Sequence, residues 1–415
     1  MKIMHIIGGG TVYHIRPHLA LCAPAYGTAA RELQRLYELR TGGRRLEVKL
    51  HLTRMAGGPT LETNADIAKL VEEIKANPDS KIVFFSAAMC DFKACVAGQS
   101  LPEDLGCKTG KELPRLESNQ RVALALHTAD KVIENVRKGR KDIFLIGFKT
   151  TRAATPKEMF QKGLRLLKLS SCNLVLVNDI ELRTNMIVTP EESTYHVTTN
   201  RQEALENLLD MAILRSHLTF TQSTVIEGQR VEWGDPRIPQ SLREVIAHCI
   251  RSNAYKEFHG ATVGHFAIKV SDTEFITSIR RSNFNHIGDQ GLVYVKTDGP
   301  DTVLAYGAKP SVGGQSQRIV FHDHPGMDCI VHFHCPLKDN PRDKVPVRSQ
   351  REYECGSHEC GRNTSNGLAK FGNLKAVYLD QHGPNIVFNR SIDPKEVIQF
   401  IDANFDLDKK TVGSI

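Results

Sequence analysis

At 415 residues the chain is long for one hydrophobic core, and two domains are the natural division. Its charged and apolar fractions, 24% and 40%, are those of an ordinary globular protein and exclude a disordered or membrane-embedded class. The net charge of +7 is dispersed without a long basic run, so nucleic acid is not an expected partner, whereas a small anionic metabolite is.

Met1 leads straight into the short apolar run Ile3–Ile7 and then glycines, which is no signal peptide. No apolar stretch is long enough to span a bilayer. A cytoplasmic protein without a membrane partner is expected, and its ten scattered cysteines then read as thiols.

Taken in chain order, the first half alternates strand and helix signals. The run Lys2–Ile7 ends in Gly8-Gly9-Gly10-Thr11. Ala29, Leu33 and Leu36 recur at helical spacing in 28–39. Leu46–Leu52 alternates with period two, as a strand does. Ile67, Leu70, Val71 and Ile74 share one helical face, and Ile82–Phe85 is a buried-strand run. Asp142–Gly147 is another strand. Thr155-Pro156 marks a helix start, and Leu174–Val177 is a further strand. This alternation predicts an α/β fold with a doubly wound parallel sheet.

Around 218–238 the pattern breaks. Thr219–Glu227 is polar and β-branched, and 233–239 is rich in turn residues, so 218–238 reads as a linker. The second half predicts a helix at about 240–258 and strands at Phe266–Val270, Leu292–Val295, Ile330–His334, Ala376–Leu379 and Asn385–Phe388. A helix near 394–404 closes it.

Two strand ends carry the chemistry. His332-Phe333-His334 follows Cys329-Ile330-Val331, and residues two apart in a strand face the same way. His382-Gly383 follows the second run, Ala376–Leu379. Three imidazoles would form a catalytic zinc site with an open position. The alternative is a pair of unliganded histidines on an edge strand. Cys355 and Cys360 bracket His358, a spacing open to a second metal cluster or to a glycine-rich active-site loop.

Residues 1–217 resemble phosphopantothenoylcysteine synthetase (phosphopantothenate–cysteine ligase). The resemblance rests on Gly9-Gly10-Thr11…Pro17…Gly27, on Ser86–Lys93, on Lys108 and Lys111, on Ile146-Gly147-Phe148 and on Leu174–Asp179. It implies a Rossmann-like domain that binds CTP or ATP with Mg2+ through Gly9, Gly10, Thr11, Asp91, Lys108, Lys111 and Asn178. The lysines would neutralise a triphosphate, and Asp91 and Asn178 would meet base or ribose. Ala23 stands where the family has an asparagine that holds the acyl-nucleotide intermediate, and Ala25-Tyr26-Gly27 replaces its Ser-Ser-Gly. The acidic residue after the Val-Gly-Phe strand end is replaced by the stretch Lys149–Arg152. Either a different acid is activated, or a nucleotide-like ligand is bound without ligation.

Residues 240–404 resemble the class II aldolase/adducin family. The carrying residues are Gly264–Ala267, Phe275–Ser278, Lys309-Pro310-Ser311, Val331–His334 and Gln381-His382-Gly383. The resemblance implies zinc on His332, His334 and His382, and an anionic substrate on Ser278 and Ser311. Arg280 and Arg281 are additions suited to carboxylate or phosphate. The family's general-base glutamate aligns with Gly313, and its next histidine with Gln317. Glu354, His358 and Glu359 are the catalytic candidates in their place, with His322, Asp323 and His324 near the metal strands in sequence.

Three functions remain open. One is a two-domain enzyme, ligase-like and zinc-dependent aldolase-, epimerase- or dehydratase-like. The second is a zinc lyase or isomerase with a non-catalytic nucleotide-sensing or dimerisation module. The third is a binding protein. A homo-oligomer is expected.

Overall fold

The computed structural model describes residues 1–41, 46–119, 121–258 and 260–411. Contacts divide the chain into two units. One is Met1–Pro190 with Tyr195–Ser216; the other is Glu191–Thr194 with His217–Ile415. Among the described residues, no helix is long and apolar enough to cross a membrane.

The first unit is built on a seven-stranded sheet. Glu47–Leu52, Ile3–Gly8, Ser80–Phe85, Phe144–Thr151 and Leu174–Asp179 lie in that order and run parallel. Asn185–Val188 adds on antiparallel, and Thr194–Thr198 forms the edge. The inner strands are nearly continuous apolar runs because both faces are covered. Helices Thr28–Thr41 and Arg201–Arg215 bury Leu33, Leu36, Leu205 and Leu208 against Met4, Ile6 and Phe84. Helix Pro156–Ser170 lies on the opposite face, where Gly163 meets Val177 and Val188. The fold is therefore the expected doubly wound α/β sheet.

Helix starts follow local chemistry. Thr155 accepts from the Glu158 amide, and the Glu158 side chain reaches back, with Pro156 in the first turn. Thr63 and Asp66 make the same box for Asn64–Ala76. Each such cap is worth about 1 kcal/mol.

In sequence order the parallel strands lie 2-1-3-4-5, reversing between Ile3–Gly8 and Ser80–Phe85. A crevice forms at the carboxyl ends of strands at such a reversal. Two antiparallel strand pairs, Val12–Arg16 with Leu19–Cys22 and Phe92–Val96 with Leu124–Thr128, were not legible in the sequence. Their pairing partners carry no shared periodic signal.

The second unit holds a ten-stranded sheet. Its order is Gln222–Ile226, Thr302–Tyr306, Leu292–Thr297, Glu274–Ser278, His265–Lys269, Cys329–His332, Gly383–Phe388, Leu374–Leu379 and Val347–Arg348, with Ala369–Phe371 beside Leu374–Leu379. Neighbours are antiparallel except the two outermost pairs. Helices Gln240–Arg251 and Pro394–Asn404 cover one face through Leu242, Ile246, Val397 and Phe400. Helix Val312–Asp323 covers the other, packing Val320 and Phe321 on Ala267, Ile330 and Val387.

Three expectations need correction. The 218–238 segment is not all linker, because Gln222–Ile226 pairs in parallel with Thr302–Tyr306. It reads as polar because it is an edge strand, half exposed. The helix expected to 258 stops at Arg251, where Ser252 caps it and Asn253 turns left-handed at φ 56°. The glycine-rich loop expected around Cys355, His358 and Cys360 becomes a helix from His358, because the Ser357 hydroxyl accepts from the Cys360 amide.

Candidate metal centre and nucleotide crevice

The histidines come together by strand register. Cys329–His332 lies between His265–Lys269 and Gly383–Phe388, with His332 opposite both His265 and Asn385. The strand ends at His332, two residues short of the expected limit, and His334 follows just beyond it. His382 sits in the tight turn between Leu374–Leu379 and Gly383–Phe388. The rings of His332 and His382 are 4.5 Å apart, those of His334 and His382 4.8 Å, and those of His332 and His334 5.0 Å. One ligand atom from each of the three lies within 4.8 Å of the others. No other cluster of three or more potential metal ligands occurs among the described residues, so Cys355, His358 and Cys360 do not form one.

Two glycines let the backbone close around this site. A Cβ on Gly383, at φ 141°, would lie 2.1 Å from the Phe333 carbonyl oxygen. A Cβ on Gly264, at φ 112°, would lie 2.5 Å from that of His332. Only glycine fits either place.

The donor set fits a metal. His332 Nδ1 donates to the Pro384 carbonyl at 2.7 Å. That leaves Nε2 with its lone pair, buried and without a hydrogen-bond partner. A buried polar atom left unmade costs about 1–3 kcal/mol, which a bound cation would offset. Burial pushes His332 down to about 4. Burial, then the neighbouring His382, holds His334 well below the ordinary histidine value. Neutral imidazoles are the ligand form.

Sequence reasoning missed His265 as a site residue. It is buried beside His332, with ring centres 4.8 Å apart, and Gln317 Nε2 lies 2.5 Å from its Nε2. Gln317 Oε1 and Asn385 Oδ1 are buried without hydrogen-bond partners. Period-two alternation could have placed His265 and Ala267 on one face, but not opposite His332.

The other candidates spread out. Glu359 accepts from the Thr219 amide at 3.0 Å and hydroxyl at 2.9 Å. His358 Nε2 meets the Thr221 hydroxyl at 2.8 Å, and its Nδ1 lies 3.4 Å from Asp301. Burial, then the Arg318 charge, lowers His358. Glu354 lies just before this helix and is half-buried. His324 bonds Ser365 and Lys375, and Asp323 accepts from Ser365. The Ser311 amide donates to the Ser278 carbonyl, and the Arg280 amide to that of Lys309, so these segments adjoin. Thr277 lies opposite Ala267, so period two turns the Ser278 side chain to the face away from Ala267 and His265. Its hydroxyl is buried without a partner. Arg280 and Arg281 are exposed, Arg281 at φ 61°. Gly313 lies in 313–315, whose surroundings are outside the described residues.

In the first unit, a cavity of about 570 Å³ opens where the strand order reverses. Gly9, Tyr26, Gly27, Ser86, Arg35 and Arg201 border it. Of the crevice residues expected from sequence, Gly9 borders this cavity. Asp91, Lys108, Lys111 and Asn178 are not among its described lining residues. Lys111 pairs with Glu62 at 2.7 Å, and Asp91 with Lys131. Lys108 is exposed, and Asn178 takes a long 3.5 Å contact from Thr150. Gly10 is buried next to the Ala25 carbonyl, and the Thr11 hydroxyl is committed to Asn64 at 2.6 Å. Asp179, the last residue of the strand-end motif Leu174–Asp179 and not itself expected at the site, is the organising acid. Burial would raise it, but the Leu182 and Ala154 amides and the Thr151 hydroxyl hold it well below the usual carboxylate range.

No family model and no curated protein matches the chain. Solved structures of two kinds are similar to it. The DNA/pantothenate metabolism flavoprotein from Streptococcus pneumoniae is 21% identical over 51% of this chain and 97% of its own, with a TM-score of 0.40. YgbL from Escherichia coli, a putative aldolase/epimerase/decarboxylase, is 17% identical over 40% of this chain and 84% of its own, with a TM-score of 0.30. The L-fuculose-1-phosphate aldolase from Thermus thermophilus is 18% identical over 43% and 92%, with a TM-score of 0.31.

Proposed function

We propose that the second unit is a zinc-dependent lyase or isomerase acting on a small phosphorylated or carboxylated metabolite, and that the first unit binds CTP or ATP with Mg2+. The observation that carries the metal reading is His332: one ring nitrogen is held by a backbone carbonyl, and the other is buried without a hydrogen-bond partner beside two more imidazoles. His332, His334 and His382 would hold the ion. Bound zinc supplies Lewis acidity toward a substrate carbonyl or hydroxyl.

The protein's own groups then have separate tasks. The segment of Arg280 and Arg281 adjoins that of Ser311 through backbone hydrogen bonds, where the helix Val312–Asp323 starts, and is the candidate setting for a phosphate or carboxylate. His358, held neutral by burial and oriented by Thr221, is the candidate for moving a proton, with Glu354 and Glu359 beside it in sequence. Elemental analysis of the purified full chain tests the metal. A protein that takes up no zinc even when supplied with it ends this reading.

A second reading of the first unit is favoured by Ala23, which offers no side-chain amide, and by Lys111, which is already paired with Glu62. Under it this unit senses a nucleotide or supports dimerisation without ligating. Nucleotide binding without turnover of phosphopantothenate and cysteine would select it.

A further inference from the structure

The crevice of the first unit contains a cation that pairs with no carboxylate among the described residues. Arg201 begins the helix Arg201–Arg215 and borders the cavity. Its Nη1 donates to Asn185 Oδ1 at 2.9 Å. No carboxylate pairs with it among the described residues, and burial alone presses its guanidinium toward a lower pKa. A partly buried cation without an acidic partner is unfavourable unless a ligand supplies the anion.

Arg35, which borders the same cavity, is the contrast. Its Nε and Nη2 bond the Glu32 carboxylate at 2.9 and 2.6 Å. That pair adds no net charge, so the positive charge facing the crevice comes from Arg201. The helix Thr28–Thr41 also starts at this cavity, with no acidic residue in its first turn. Its first amides add to the positive potential. Glu32, Gln202 and Leu205 also line the cavity, while the small Gly9, Ala25, Gly27 and Ala29 leave room for a ligand to approach the backbone. The Tyr26 ring is 70% exposed and offers a flat face at the border.

We propose that Arg201 is the anion-holding residue of this crevice and that its ligand is an organic phosphate carrying a planar ring. The inference rests on reading the crevice as a nucleotide site. It moves the phosphate contact from Lys108 and Lys111 to Arg201. A guanidinium suits phosphate by donating two parallel hydrogen bonds, and Arg201 has Nε and Nη2 in addition to the nitrogen on Asn185.

Calorimetry on the full chain with CTP, ATP and pyrophosphate tests it, with Arg201→Met, Arg201→Lys and Asn185→Ala beside the natural sequence. Arg201→Met should weaken binding about tenfold or more, the loss of a charge-assisted pair, and Arg201→Lys should recover part of it. Asn185→Ala, which keeps the guanidinium, should bind within about threefold. Phenylglyoxal modification mapped by mass spectrometry gives a readout without any substitution, should Arg201→Met fail to fold. CTP should shield Arg201 and leave Arg35 unchanged. Binding unaltered by Arg201→Met, or no shielding of Arg201, overturns the proposal while leaving nucleotide binding intact. Arg201-dependent binding of pyrophosphate without either nucleotide supports Arg201 and removes the nucleotide reading. No binding of any of the three overturns both.

Discussion

The Nδ1 of His332 lies 2.7 Å from the carbonyl oxygen of Pro384, and this contact selects the nitrogen left for a metal. A carbonyl can only accept, so Nδ1 keeps its proton and Nε2 keeps its lone pair. The same contact fixes the ring's orientation, as outer hydrogen bonds do for metal-bound histidines. Pro384 follows Gly383 directly, so the turn that positions His382 also orients His332.

The metal should respond to substitution residue by residue. About one zinc per chain is expected in the natural protein. His332→Ala and His382→Ala should lose it. His265→Ala should retain it, since His265 neighbours the trio without belonging to it. Elemental analysis with circular dichroism as a folding check decides this. Full zinc in both His332→Ala and His382→Ala would put the metal elsewhere.

Gly383→Ala should damage fold and metal site together. The new Cβ would meet the Phe333 carbonyl oxygen at 2.1 Å, in a left-handed conformation. Strain and overpacking together should cost roughly 2–4 kcal/mol. Urea unfolding measures the loss, and zinc retention should fall with it. Ordinary stability with full zinc would mean that the turn can move.

Acid should destabilise the first unit through a histidine pair. His5 Nδ1 lies 3.1 Å from His51 Nε2, and His5 Nε2 lies 2.9 Å from the Ser80 hydroxyl. Burial, then His51 and Lys49, brings His5 down to about 4, and burial, then Lys49, also lowers His51. The unfolded chain therefore binds more protons than the folded one between about pH 6.5 and 4. Stability is full above pH 6.5 and falls as pH drops through that window, by about 1.4 kcal/mol per pH unit for each extra proton. His5→Asn should be less stable at pH 8 but show a shallower decline. Equal slopes in thermal melts of the two proteins would refute the assignment.

The edge strand Gln222–Ile226 should matter to the second unit. A fragment of 217–415 keeps it paired with Thr302–Tyr306, and one of 235–415 does not. The longer fragment should melt at the higher temperature. Limited trypsin digestion should cut at the exposed Arg230, beyond the strand's end, before the buried Arg215 that precedes it. Equal melting of both fragments would show that the strand adds nothing.

The sequence by itself determined which face each element buries. Ile67, Leu70, Val71 and Ile74 recur at helical spacing and are all buried, and Thr155-Pro156 opens a helix with the expected cap. The two-residue repeat likewise predicts a shared direction for His332 and His334, and their rings lie 5.0 Å apart although the strand ends at His332. Only the tertiary structure decided what stands across from them. His265 reaches His332 through strand register, Asn385 arrives from the other neighbouring strand, and Arg201 reaches the Gly9 crevice from far along the chain. Lys111 was legible as a cation, but its pairing with Glu62 was not. Periodicity is written in neighbouring residues, each reporting its own burial. Register and long-range charge pairing depend on many weak contacts between distant segments, and no local pattern records which of them close together.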